Sequence, residues 1–309
     1  MSIFQSWDIQ KNIYFNLPIY CIKDRAIPTY YEIIENKETV MIIPLLKTKD
    51  RLISIGSFNG CSYYDFIYGD ITVSQCAKYI NFFFGQIQDK EICLDKIREE
   101  SIVAEVFEKL SEDIDIYINP TPNVNIPINK EYDDYFKKLS KSTRQNIRTS
   151  YNRMSKDNIQ YKLCVRYGKT RDRKQVNQII DIYNKRHTKR YGLKISILKD
   201  IYLKYLDFST RCLMKSGKGV LSVLYMNDEI VAFLWGYGQK NDKTIIVPRL
   251  SIVDEYAFYS PGILLINETI KHLIEKKEFI NLDLSIGDER YKYQMGGVTH
   301  YTYNYKIKL

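Results

Sequence analysis

Histidine is scarce: there are three in 309 residues, with no ligand spacing among them. The six cysteines, Cys21, Cys61, Cys76, Cys93, Cys164 and Cys212, form no CxxC pair. They read as reduced, packed thiols, and no metal centre is expected. Long apolar runs are missing too. The longest candidate, Val40–Leu46, suits a buried strand, whereas a membrane helix needs about 20 residues. Met1 to Lys11 lacks the apolar stretch and small-residue cleavage site of a secretory leader, so a cytoplasmic location with no membrane insertion is expected. What remains is ordinary globular material, 45% hydrophobic and 27% charged, with enough chain for two domains.

The net charge of +9 is unevenly spread. Lys137 to Lys194 holds 18 Lys and Arg against Asp157, Asp172 and Asp181, so this segment carries +15 and the rest of the chain −6. A local basic field suits the phosphates of a small ligand as well as nucleic acid, and it equally describes a solvated helical surface.

Residues 1–120 read mainly as strands: Glu38–Leu46, Leu52–Phe58, Ser62–Tyr68 and a short Asp113–Ile118, with turns at Lys47–Arg51 and Asn59-Gly60. Ser74–Phe83 and Ser101–Leu110 read as helices. Asn119-Pro-Thr-Pro-Asn123 breaks the pattern, and the predicted domains are 1–130 and 131–309. Residues 131–160 read as helical, with Leu139, Ile147, Tyr151 and Met154 facing a core. Lys137, Lys141, Arg144 and Arg148 lie on a different face, wet or ligand-facing. Tyr161–Tyr167 is a strand, and Lys174–Arg190 and Asp200–Lys215 are helices. A meander follows: Val220–Met226, Ile230–Gln239 and Thr244–Ile252, then a helix from Pro261 to about Lys276, a strand Phe279–Ser285 and a last strand Tyr301–Lys308. The class is α+β. Each half carries a pair of apolar strands across a short charged turn, which suggests duplication.

Two pieces of this pattern bear on chemistry. In Tyr259-Ser-Pro-Gly-Ile263, serine suits a helix N-cap and proline the first helical position, while Gly262 leaves the backbone accessible. Such a start binds phosphate or pyrophosphate, or is simply a cap. The strand Phe279–Ser285 then runs into Ile286-Gly-Asp-Glu-Arg-Tyr-Lys292, which sets an acid pair, a phenol and an amine at a strand end. A carboxylate there can take a proton from an attacking ammonium, and a tyrosine can return one to a leaving thiolate. The same residues also fit a capped helix from Asp288 onward, with Tyr291 packed and Lys292 solvated.

The C-terminal half resembles the GNAT-superfamily domain of cellulose and surface-polysaccharide biosynthesis proteins, and the FemAB-like tandem acyltransferases. The likeness lies in Leu139-Ser-Lys-Ser-Thr-Arg-Gln-Asn-Ile-Arg148, Glu229-Ile-Val-Ala-Phe233, Tyr259-Ser-Pro-Gly-Ile-Leu-Leu265 and Asp283-Leu-Ser-Ile-Gly-Asp-Glu-Arg-Tyr-Lys292, in that order. The Arg/Gln-x-x-Gly-x-Gly/Ala loop of common GNAT enzymes is absent, and only Ser-Pro-Gly stands in its place.

The resemblance implies two GNAT-like domains in tandem, each a mixed sheet flanked by helices, with the first degenerate and the second holding acyl-CoA. It implies direct attack of an amine on the thioester, with oxyanion stabilisation by N–H groups of Thr244–Ile252. The catalytic candidates are Asp288, Glu289 and Tyr291. Ser260, Pro261, Gly262, Ile263, Arg249 and Lys292 are the donor-binding candidates. The expected acceptor is a nucleotide-linked amino sugar of a bacterial surface glycan such as O-antigen, met by Arg144, Arg148, Tyr64 and Asp65, since guanidinium suits a diphosphate and aromatic faces suit a base or sugar. The alternatives are a FemAB-like enzyme taking its acyl group from aminoacyl-tRNA, a non-catalytic nucleic-acid module and a degenerate scaffold.

Overall fold

The computed structural model describes residues 26–55, 62–128, 131–169, 172–191, 217–241 and 243–309. The expected helix Asp200–Lys215, the Asn59-Gly60 turn, the residues of the expected strand beyond Ile55, the Met1–Lys11 segment, and Cys21, Cys61 and Cys212 lie outside them. The chain divides into two compact units: Met1–Pro122 with His300–Leu309, and Asn123–Thr299. The last strand thus belongs with the first unit, which the sequence reading assigned to residues 1–130 alone.

In the first unit, β1 (Ile27–Glu35) and β2 (Glu38–Lys47) form a hairpin that the sequence reading did not contain. Its two-residue turn, Asn36-Lys37, has φ of 52° and 68°, the twist that a tight hairpin demands. β2 continues antiparallel to β3 (Leu52–Ser54) and also pairs with the two-residue β4 (Ile67–Tyr68), all that forms of the strand expected over Ser62–Tyr68. Helix α1 (Val73–Gln86) leads to β5 (Glu91–Arg98), parallel to β3. Helix α2 (Ile102–Leu110) leads to β6 (Asp115–Pro127), and β12 (Val298–Lys308) lies antiparallel to β5. Cys76, Tyr79, Ile80, Phe83 and Phe84 form the buried stripe of α1.

In the second unit, residues 123–127 of β6 pair antiparallel with β11 (Asn281–Ile286). The helix expected over 131–160 is two helices, α3 (Tyr132–Lys138) and α4 (Lys141–Lys156). Leu139 is extended, and Ser140 caps the second helix by accepting the Thr143 N–H at 3.1 Å. Strand β7 (Tyr161–Tyr167), helix α5 (Arg173–Tyr191), β8 (Gly219–Met226), β9 (Glu229–Gln239) and β10 (Thr244–Ile252) follow. After a 3-10 segment, Asp254–Tyr259, come α6 (Pro261–Lys276), β11, α7 (Arg290–Gln294) and the start of β12. The strand order in this unit is β7-β8-β9-β10-β11-β6. Leu264, Leu265, Ile266, Ile270 and Leu273 of α6 pack into its core with Ile147 and Met154 of α4.

The same plan appears in each unit: an antiparallel pair, a helix, and a strand parallel to the second member of the pair. These are β2–β3–α1–β5 and β9–β10–α6–β11. The expected boundary stretch Asn119–Asn123 is where the two units divide, although the strand itself is not interrupted there. β6 runs straight through Pro120 and Pro122, and the second unit's ladder on it begins at Asn123. Proline is tolerated in a strand where no ladder N–H is required of it, and a change of pairing partner is such a place.

Gly236 shows how closely β9 and β10 approach at an irregular point. The register between them slips between Ile246 and Arg249. A Cβ on Gly236 would lie far inside contact distance of the Ile246 carbonyl oxygen. Gly236→Ala is expected to cost about 2 kcal/mol or more through backbone displacement, read as a lowered denaturation midpoint.

Candidate functional site

β10 and β11 are parallel but pair only at three positions, Thr244–Asn281, Ile245–Leu282 and Ile246–Asp283. Each is irregular just beyond. β10 bulges between Ile246 and Arg249, a stretch that contains Pro248. β11 slips between Asp283 and Ile286, where Ser285 has φ 55°. Where the two parallel strands stop pairing a cleft opens between them, and on its β11 edge the Ser285 N–H turns to Asp283 Oδ1 at 2.7 Å. The cleft opens toward the carboxyl ends of the strands, where α6 begins, and this is where ligands gather in such sheets.

The α6 start departs from the expected cap. Ser260 occupies the N-cap position with φ 51° and ψ 52°, and its side chain does not cap the helix; its Oγ lies 3.4 Å from Asn146 Oδ1 on α4. The Ser260 N–H donates to Ala257 O at 2.9 Å, Pro261 has none, and the N–H groups of Ile263 and Leu264 both reach Ser260 O at 3.1 Å. Among the described residues, Gly262 therefore holds the one amide of the first turn without a main-chain acceptor. A Cβ at Gly262 would meet Ile252 Cγ2 at 3.2 Å. Pro261 is buried, and Ile263 packs against the core. α4 fastens the turn from outside. Arg153 donates to Phe258 O at 2.7 Å and lies over the Phe258 ring, and Tyr259 donates to Asp157 at 2.8 Å. Neither contact was anticipated; Arg153 stood in the sequence as one cation of a basic run. By contrast, α1 of the first unit is closed by a reciprocal box between Thr72 and Gln75.

Lys292, expected at the donor or in solvent, is instead buried and turned onto the main chain. It is 2% exposed, and its ammonium donates to three carbonyls in succession, Ser285 at 3.1 Å, Ile286 at 2.8 Å and Gly287 at 3.0 Å, with Glu289 Oε2 at 3.1 Å. Burial pulls its pKa down, opposed chiefly by Glu289. All three ammonium protons are thereby engaged, so this lysine secures the end of β11. Glu289 precedes α7 without capping it by a side-chain bond, Tyr291 is half-buried against the core, and Asp288 is exposed. Arg249 is 7% exposed, on the sheet face that meets α5, with its guanidinium over the rings of Tyr183 at 5.3 Å and Trp235 at 5.6 Å.

The acceptor residues are placed otherwise than expected. Arg144 turns back to the end of α3, donating to Lys137 O at 2.9 Å and to Leu139 O. Arg148 lies over the Phe136 ring at 5.5 Å. Both pin α4 to α3, which is possible because the helix breaks between them. Tyr64, in the first unit, is buried with its hydroxyl on Pro44 O at 2.7 Å, so its face is closed to a base. Asp65 accepts from the Phe66 N–H at 2.8 Å and from Tyr68 at 3.4 Å, and burial raises its carboxyl to about 7.

Among the described residues no group of three or more His, Cys, Asp or Glu is placed to hold a metal, and no helix is long and apolar enough to cross a membrane. Residues 141–293 match the acetyltransferase (GNAT) domain model. No curated protein matches the chain. Among solved structures, FemX aligns with a TM-score of 0.63 at 10% identity, covering 100% of this chain and 92% of its own. A conserved protein of unknown function from Bacteroides thetaiotaomicron VPI-5482 aligns at 0.60 and 12% identity, covering 99% and 91%. The structure of L-PGS from Bacillus licheniformis aligns at 0.56 and 11% identity, covering 96% and 91%. At these identities the likeness is one of fold. The chain thus shares the fold of FemX and L-PGS along its length and is similar over residues 141–293 to GNAT acetyltransferases.

Proposed function

We propose that this protein is an N-acyltransferase that uses an acyl-CoA thioester and works at the cleft between β10 and β11. The observation that carries the reading is the parting of these parallel strands after Ile246 and Asp283, beside a helix start that no side chain caps. A thioester lying in the cleft runs along the β10 edge, and its phosphates reach the Gly262 amide.

The amine nitrogen attacks the thioester carbonyl carbon, the C–S bond breaks and the thiolate leaves. Pro248 has no N–H, so Val247 and Arg249 are the neighbouring amides on β10 for the oxyanion. With Glu289 committed to Lys292, Asp288 is the carboxylate open to take the ammonium proton. Tyr291 gives one to the leaving thiolate and is reprotonated by the proton that the attacking nitrogen sheds as the amide forms. The first acceptors to try are nucleotide-linked amino sugars, with bacterial surface-polysaccharide synthesis in the cytoplasm as the expected setting.

The test is mass-spectrometric detection of CoA or acyl-CoA on the intact protein, then incubation with a panel of nucleotide-linked amino sugars. Absence of CoA binding sinks the reading. Gly262→Val is expected to weaken CoA binding about tenfold or more, because the branched side chain displaces Ile252 and shields the one open amide; unchanged binding moves the phosphates elsewhere. Tyr291→Phe is expected to lower kcat by roughly 10²-fold with donor binding retained, and unchanged turnover removes Tyr291 from the mechanism.

One observation favours a second reading. FemX aligns over the whole chain, and a single open amide is a thin grip for a pyrophosphate. An aminoacyl-tRNA donor would meet the basic segment Lys137–Lys194 through its phosphate backbone. Donor affinity would then fall steeply between 50 and 200 mM salt, by roughly 10³-fold or more, whereas a CoA site would change far less.

A further inference from the structure

The second unit contains a pocket of about 550 Å³ next to the α6 start, a volume suited to a small-molecule ligand. Its two sides carry opposite charge. Ile182, Lys185 and Arg186 on α5 form one. Glu229 at the start of β9 and the Ile252–Tyr256 segment, with Asp254 and Glu255, form the other. Ile252 is shared: it is also the side chain against which Gly262 sits. The pocket therefore adjoins the turn assigned to the donor.

Two details give the pocket a chemical preference. Among the described residues, Arg186 Nη1 is shielded from water and has no hydrogen-bond partner. A guanidinium nitrogen in that state is costly unless an acceptor arrives. Opposite, Glu229 is oriented by the Tyr256 hydroxyl, which donates to Oε2 at 2.7 Å; among the described residues Oε1 has no partner. An arginine donor on one side and a fixed carboxylate on the other match a ligand that carries an oxyanion and an ammonium together. A neutral amine would satisfy one side only.

We propose that this pocket is the acceptor subsite and that it selects amines bearing a phosphate or carboxylate, with Arg186 on the oxyanion and Glu229 on the ammonium. This rests on the acyltransferase reading for the word acceptor; the binding preference itself does not.

The test is calorimetric titration of the full chain with four probes: glucosamine 6-phosphate, lysine, glucosamine and glucose 6-phosphate. The first two carry both charges, one through phosphate and one through carboxylate; the others carry one each. At least one doubly charged probe is expected to bind roughly tenfold or more tighter than either single-charge probe, and which one identifies the oxyanion. Arg186→Gln is expected to abolish the advantage over glucosamine, Arg186→Lys to restore part of it, and Glu229→Gln to abolish the advantage over glucose 6-phosphate. Equal binding of all four probes, or wild-type behaviour of both Gln variants, overturns the proposal. Selective binding without acyl transfer to any amine upholds the subsite and sinks the acyltransferase reading; transfer without selective binding does the reverse.

Discussion

Lys292→Met is expected to destabilise the protein by about 3 kcal/mol or more, the scale for removing one partner from a buried charged cluster. The wild-type ammonium satisfies the Ser285, Ile286 and Gly287 carbonyls at once. Methionine fills the same volume but donates nothing, so three carbonyls near the end of β11 lose their donor. Glu289, whose side chain is 38% exposed, can turn to water, so Glu289→Gln is expected to cost under about 1 kcal/mol. The two variants together separate the roles: denaturation midpoints that match would mean the ion pair, not the carbonyl contacts, holds the loop. Because the same loop carries Asp288 and Tyr291, Lys292→Met should also lower any turnover. Preserved stability would show that β11 ends independently of its lysine.

Asp65→Asn is expected to stabilise the protein at pH 8, by roughly 2–4 kcal/mol, and to change little near pH 4. The sign follows from the direction of the shift. The Asp65 carboxyl titrates at about 7 in the folded chain, raised by burial from the usual 3.8. Between about pH 4 and pH 7 the unfolded chain has lost this proton and the folded chain has kept it, so wild-type stability falls as pH rises through that window. Above 7 the ionised carboxylate sits in a poorly hydrated place at full cost. Asparagine never ionises, and it can still accept from the Phe66 N–H and Tyr68. The side chains coupled to it, Tyr64, Tyr68, Cys76 and Tyr305, all have raised pKa values and do not titrate in this range. Denaturant titrations of both proteins at pH 4.5, 6 and 8 are the measurement; parallel curves across that range would place the proton elsewhere.

Much of the second unit was legible because its elements are strongly periodic. Strand β7, the meander and an α6 stripe of Ile263, Ile266, Ile270 and Leu273 follow from spacing; of these Ile263 is only half-buried, and Leu264 beside it is buried instead. Strands β1 and β5 were missed because charged residues interrupt their apolar pattern, as Glu91, Asp95, Lys96 and Arg98 do in β5. Ser140 carried a capping signal that the regular apolar spacing across it concealed, and that oversight sent Arg144 and Arg148 to a ligand instead of to α3.

The amino-acid sequence by itself determined the α+β class, the two-part organisation and the segment Tyr259–Lys292 as the place to look, since local periodicity, capping residues and motif order are properties of neighbours along the chain. Only the tertiary structure decided what those residues touch. Nothing local tells a solvated lysine from Lys292, which is buried by contacts with a turn five to seven residues before it. Nothing local shows that β10 and β11 stop pairing after three positions, because register depends on strands far apart in the chain. The opposition of Arg186 to Glu229 arises in the same way: helix α5 and the first residue of β9 meet only when the sheet is assembled.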